Sequence, residues 1–254
     1  MWWQQYKKEL MGHRAEGLLI AGALIVWTFL LLSRVNRWSP EAIAVLYWLP
    51  MGFLPLWVLW SSVQLYRQEW RENTSYLMLS LPVRAWVITS AKLAVVATGV
   101  IAWMLLIGAG AWLVAARTGI LAELAASPDF AGIPREWAFK MSLLAFGVIL
   151  TAFVIIGFLA QFAYVFSRLF PRFRGLVMAW TWILLFWLIG RAGDLGGLLL
   201  AGLPDFYVRW LHLISGIPEF LVLRIESGPF VAVALLLVGL YALLNAMLER
   251  AVEV

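Results

Sequence analysis

Catalysis needs nucleophiles, acid–base partners or metal ligands, and this sequence supplies few of them. It has no cysteine, which excludes a disulfide framework, a thiolate metal site and a cysteine nucleophile. Its two histidines, His13 and His212, are too few for a multi-histidine metal centre. There is no H-E-x-x-H pair of zinc ligands, no G-x-S-x-G nucleophile turn, and no G-x-x-x-x-G-K-[ST] phosphate loop. No catalytic residue and no metal ligand set is assigned, and the chain is not expected to be an enzyme. What remains is a handful of polar groups in conspicuous positions. Gln161 lies inside a long apolar run, where an amide either bonds across helices or lines a path. Arg191 and Asp194 are spaced i, i+3 and can pair on a helix near the end of another run, a candidate gate. A mixed-charge stretch, Arg67, Glu69, Arg71 and Glu72, is followed by the apolar Tyr76–Leu81, then Pro82, Arg84 and Lys92.

The elements that must carry these groups are written in the composition. Of 254 residues, 64% are apolar and 13% charged, against about 45–50% and 25% in soluble domains. That composition excludes a disordered chain and a soluble globule and indicates an integral membrane protein. The net charge of +5 is read as a matter of membrane orientation, and no nucleic-acid partner is expected. Cutting the sequence at its charged residues leaves six long runs: 17–33, 42–66, 93–116, 141–167, 175–190 and 227–248. A crossing helix needs roughly 17–25 mostly apolar residues. Four runs meet this easily, 17–33 is marginal with Arg34 able to snorkel, and 175–190 is the shortest. None alternates in the manner of a barrel strand. The expected fold is therefore all-α, a single transmembrane domain of six helices over 1–254. Pro50 and Pro55 are placed to kink the second span.

The first 15 residues put Trp2, Trp3, Tyr6 and Leu10 on one helical face with Lys7, Lys8, His13 and Arg14 elsewhere. This predicts an amphipathic interfacial helix over 1–15; a frayed tail is the alternative. No small-residue cleavage site follows the first run, so it reads as an uncleaved span. With the N-terminus inside, inner segments hold 11 Lys and Arg and outer segments 8. That asymmetry predicts both termini on the cytoplasmic side. Of the sixteen tryptophans, Trp38, Trp48, Trp57, Trp60, Trp70, Trp86 and Trp137 sit near expected span boundaries, where an interfacial belt accounts for most of them, while Trp103, Trp180, Trp182 and Trp187 lie deeper. Residues 191–226 form an outer segment, in which Pro204, Asp205, Arg209, Pro218, Glu219 and Arg224 are scattered among apolar residues. It reads equally as a re-entrant segment and as an amphipathic surface loop.

The longest inner segment, 67–92, suits either a short helix pressed on a soluble partner or a solvated loop. Its residues Arg71-Glu72-Asn73-Thr74, then Leu77-Met78-Leu79, then Ser80-Leu81-Pro82-Val83-Arg84, with Lys92 beyond, resemble the loop of ABC-2-type permeases. These are the membrane subunits of many bacterial ABC exporters. Members commonly have Gly where Asn73 stands, and Asn tolerates the left-handed backbone better than most residues. In outline the resemblance extends over nearly the whole chain: interfacial helix, six spans, charged 2–3 loop, long outer 5–6 segment and short polar C-terminus.

The resemblance implies a cytoplasmic coupling loop at 67–92 that docks an ATPase through Glu69, Arg71, Glu72 and Thr74, with Pro82 and Arg84 at the entrance to span three. It also favours a re-entrant 5–6 segment. With no phosphate loop in this chain, ATP and Mg belong to separate ABC ATPase subunits, and a second, identical or similar permease completes the pore. The implied function is ATP-driven export by alternating access. The uncharged, aromatic interior suits a hydrophobic or amphipathic cargo such as a drug, lipid or antimicrobial peptide. The location is the bacterial cell membrane, with the lipid bilayer as constant partner. The rival readings are an ion-coupled secondary transporter and an ATPase-independent membrane scaffold.

Overall fold

A computed structural model describes residues 1–71, 84–127, 134–170, 172–214 and 217–250. Helix α1 (Trp2–Leu32) is followed by α2 (Pro40–Tyr47), a 3-10 segment (Leu49–Phe53) and α3 (Leu54–Arg71). Then come α4 (Ala85–Thr118), the short α5 (Ile120–Ala126), α6 (Arg135–Ser167) and α7 (Arg174–Leu199). Strands β1 (Phe206–Ile214) and β2 (Ile217–Ile225) precede α8 (Gly228–Arg250). Among the described residues six helical segments are long and apolar enough to cross a membrane, with α2, the 3-10 segment and α3 counting as one. They run from 22 to 34 residues, about 33–51 Å at 1.5 Å per residue, against a hydrocarbon core of about 30 Å. The protein is thus a multi-pass helical membrane protein.

Local chemistry explains the element boundaries. Ser39 caps α2, its hydroxyl accepting from the Ala42 amide at 3.3 Å, with Pro40 in the first turn and Glu41 behind it. Pro50 has no amide hydrogen and its ring crowds the preceding carbonyls; the 3-10 segment falls there. The second span is accordingly broken where the two prolines lie. Helix α4 ends at Gly119, whose φ of 81° is left-handed backbone open to glycine.

Two elements differ from their sequence expectation, and the shortest run extends as its apolar composition allows. Residues 1–15 and the run from 17 join in one uninterrupted helix, because no proline stands between Trp2 and Leu32 to break the backbone ladder. Helix α4 begins before Lys92, enclosing that residue rather than starting after it. Helix α7 continues past Arg191 to Leu199. The otherwise helical chain also contains an antiparallel hairpin, paired from Phe206↔Ile225 to Ile214↔Ile217. Its two strands make a sheet with two open edges, and open edges are tolerated only where water or another protein surface meets them.

The chain, read above as a single domain, packs as two compact units: Met1–Ser62 with Ser90–Gly157, and Val63–Thr89 with Phe158–Val254. In the first unit, the Tyr47 hydroxyl donates to the buried Ile107 carbonyl at 2.9 Å. Trp57 and Trp103 pack with centroids 5.4 Å apart. Gly99 lies under Trp57 so closely that a Cβ would stand 2.2 Å from the ring. In the second unit, α7 and α8 cross backbone to backbone: a Cβ on Gly196 would stand 2.6 Å from the Gly228 carbonyl. Small residues permit such approach where lipid supplies no hydrophobic drive between helices. Each unit turns apolar side chains outward, among them Leu18, Leu19, Phe29 and Trp112 in the first and Leu176, Trp187, Leu235 and Val238 in the second. Polar groups such as Glu9, Lys92, Gln161 and Thr89 are buried. That inverted distribution is the one lipid as solvent selects.

Candidate functional site

In the first unit the polar groups gather between α1 and α4. Trp2, Tyr6, Glu9, His13 and Glu16 recur at spacings of four and three, so they share one face of α1. The Trp2 indole donates to Ser90 Oγ at 2.9 Å. The Tyr6 hydroxyl meets Thr98 Oγ1 at 3.0 Å. Lys92 Nζ lies 2.9 Å from Glu9 Oε1, with the two side chains 0% and 8% exposed. Gln5 Nε2 donates to the same carboxylate oxygen at 2.9 Å. Two turns on, the Trp57 indole donates to Glu16 Oε1 at 3.0 Å. At the far end Thr28 lies beside Gly110. From Trp2 on Ser90 at one end to Thr28 beside Gly110 at the other, the contacts run the same way along both helices, so α1 and α4 are parallel. A desolvated ion pair is worth little net against an apolar pair of equal shape. Removing one partner, however, strands a buried charge and destabilises by about 3–5 kcal/mol.

The charged start of the 67–92 segment lies at the end of α3, in the second unit. Glu69 is buried, at 6% exposure, while Arg71 and Arg84 are exposed. Trp70 stacks near Tyr66 and Tyr164, with centroids 5.9 and 5.8 Å away. The Arg168 guanidinium lies over both Trp70 and Tyr164, at 5.2 and 4.8 Å, and donates to the Tyr164 hydroxyl. This cation–aromatic stack is the type that ties an arginine to an interfacial face. Glu72, Thr74 and Pro82 lie outside the described residues.

Gln161 is fully buried, and neither its amide nitrogen nor its amide oxygen has a hydrogen-bond partner among the described residues. It sits in a stretch of α6, residues 157–165, in which every residue is buried. Arg191 and Asp194 do pair, at 3.6 Å, but with side chains 62% and 70% exposed; Arg191 also lies over Trp187 at 5.7 Å. An exposed pair of this kind contributes about 0–1 kcal/mol. In the hairpin Arg224 bonds Asp205, and that hydrogen bond and charge raise the guanidinium still further above its ordinary value. Among the described residues no three His, Asp or Glu side chains are grouped to hold a metal.

The sequence groups therefore separate: Glu69 and Gln161 are interior, Arg71, Arg84, Arg191 and Asp194 face outward. The Glu9–Lys92 pair is absent from the sequence reading. Cutting the chain at charges placed both residues outside the spans by construction. The four-three spacing of Trp2, Tyr6, Glu9, His13 and Glu16 was the signal available for it. No protein-family model matches this sequence, and no curated protein or solved structure matches it.

Proposed function

We propose that the chain is the membrane subunit of an ATP-driven exporter of the ABC-2 type, working in the bacterial cell membrane by alternating access. The observation that carries this reading is the segment from Arg67 to Lys92, with its charged opening, Ser80-Leu81-Pro82-Val83 and Arg84. It leads into α4, and α4 starts at the end of the bundle where α1 starts, which supports a shared cytoplasmic side for the N-terminus and this segment. Arg71, Glu72, Thr74 and Arg84 form the docking surface. Glu69 is buried at the end of α3, and Pro82 and Arg84 are assigned to the entrance to span three. Six lipid-facing helices and an uncharged Gln161 inside α6 suit a hydrophobic or amphipathic cargo, with Arg191 and Asp194 at the outer end of α7. ATP and Mg bind the partner ATPases, and a second permease completes the path.

The test is a mild-detergent pull-down of the tagged chain from its native membrane with mass spectrometry. A stoichiometric soluble subunit carrying a phosphate loop is expected, with or without a second permease. Recovery of the chain alone, under conditions that preserve a known ABC complex, overturns the proposal. One observation favours a second reading. Buried ionisable pairs are a mark of ion-coupled transport, and Glu9–Lys92 is such a pair. Uptake or efflux in liposomes that follows an imposed proton or sodium gradient, without ATP, would establish that reading instead.

A further inference from the structure

We infer that the Glu9–Lys92 ion pair is a clamp that makes the opening turns of α1 and α4 one rigid lever at the cytoplasmic end of the bundle. Its use in coupling ATP hydrolysis to the spans rests on the exporter reading; the clamp itself does not. Beyond Glu9, only Leu24 and Leu31 of α1 are buried. The helix is otherwise turned outward, so its hold on the unit at this end depends on polar ties. Three such ties lie within residues 90–98 of α4: Trp2 to Ser90, Glu9 to Lys92 and Tyr6 to Thr98. The central one differs in kind. Both of its groups are out of water, and Glu9 Oε1 takes hydrogen bonds from Lys92 and Gln5 together. Parting α1 from α4 here takes the Glu9 carboxylate away from the Lys92 ammonium in a low dielectric, which costs more than breaking a neutral hydrogen bond. Trp2 and Trp3 both stack on Tyr6, at interplanar angles of 3° and 19°, and stiffen the same turns. Since α4 begins just after the 67–92 segment's charged and proline residues, motion received there passes to α1 through this pair.

The absence of cysteine allows a direct measurement. Spin labels are placed at Met11 and Ala102, both exposed and both in the first unit, and their distance distribution is recorded in liposomes of bacterial lipid. The expected result is a narrow distribution in the parent, broadened by Lys92→Met and by Glu9→Gln, and narrowed again in Glu9→Lys with Lys92→Glu. Glu9→Gln keeps the shape and the accepting oxygen, so it reports on charge alone and serves if Lys92→Met fails to fold. A distribution in Glu9→Gln as narrow as in the parent overturns the clamp, as does a charge swap that restores nothing. In the complex with its co-purified ATPase, the same variants are expected to lose permease-stimulated ATP hydrolysis by about tenfold, within the range of ordinary coupling energies, while still binding the ATPase. Unchanged stimulation in a broadened variant overturns the role in coupling. If no ATPase co-purifies, the exporter reading fails and the spin-label distances still decide the clamp.

Discussion

Glycines in this protein differ sharply in what a side chain would meet. At Gly196 a Cβ stands 2.5 Å from the Ala232 Cβ and 2.6 Å from the Gly228 carbonyl oxygen. Neither obstacle can rotate away, so Gly196→Ala is expected to push α7 and α8 apart and destabilise by about 1–3 kcal/mol. At Gly12 and Gly147 nothing lies within 4 Å, and alanine there is expected to be neutral or to stabilise by up to about 1 kcal/mol through helix propensity. Thermal unfolding in detergent distinguishes the two classes; equal effects at all three positions would refute close packing of α7 on α8. Gln161 poses the opposite case. Its buried amide has no partner among the described residues, and an unmet amide is a liability of about 1–3 kcal/mol. Gln161→Leu is therefore expected to leave the melting temperature unchanged or raise it. A clear fall in stability would show that the amide is satisfied in the membrane. A stable variant in which transport is lost places the residue in the path.

Elements were legible to the degree that their cause is local. An uncharged run of sufficient length must cross as a helix because every backbone group needs an internal partner in lipid, so the six spans follow from counting. The break at Leu49–Phe53 follows from Pro50 and Pro55 for an equally local reason. What depended on tertiary contact was not legible. Lys92 is a boundary residue by composition and an interior residue by virtue of Glu9, which is distant in sequence. Residues 206–225 are apolar on both faces of a hairpin, with Phe206, Tyr207, Val222 and Leu223 all exposed, so they show no alternation to announce a strand. The resemblance to ABC-2 permeases gives Glu69 a docking role, whereas the α3 end buries it. Reversing charge there would damage the fold as much as a contact. The informative substitution is at exposed Arg71: Arg71→Glu is expected to insert and melt as the parent does while losing most of its ATPase in the pull-down. Parent-level ATPase recovery would remove Arg71 from the dock.

Over the whole molecule, orientation links these parts. The excess of Lys and Arg on the N-terminal side is modest, 11 against 8, and orientation follows such bias rather than net charge. The parallel course of α1 and α4 adds an independent constraint, since two spans that start together must begin on one side of the bilayer. Single cysteines at Ser75, Ser127 and Tyr207 in the cysteine-free chain test both. An impermeant maleimide applied to intact cells is expected to reach Ser127→Cys and leave Ser75→Cys unlabelled until the membrane is opened. Labelling of Ser75→Cys from outside would invert the topology and remove the ATPase dock from the cytoplasm. Tyr207, 68% exposed on β1, decides the hairpin. Its strands of nine residues are about 30 Å long at ~3.4 Å per residue, long enough to enter the bilayer. Yet two open edges leave unpaired amides and carbonyls that hydrocarbon cannot satisfy. The expected result is labelling of Tyr207→Cys from outside at the rate of Ser127→Cys, with the hairpin in water or headgroups. Labelling by a membrane-permeant maleimide alone would mean a re-entrant hairpin, and its edges would then have to be met by protein, which the exporter reading proposed above would supply as a second permease.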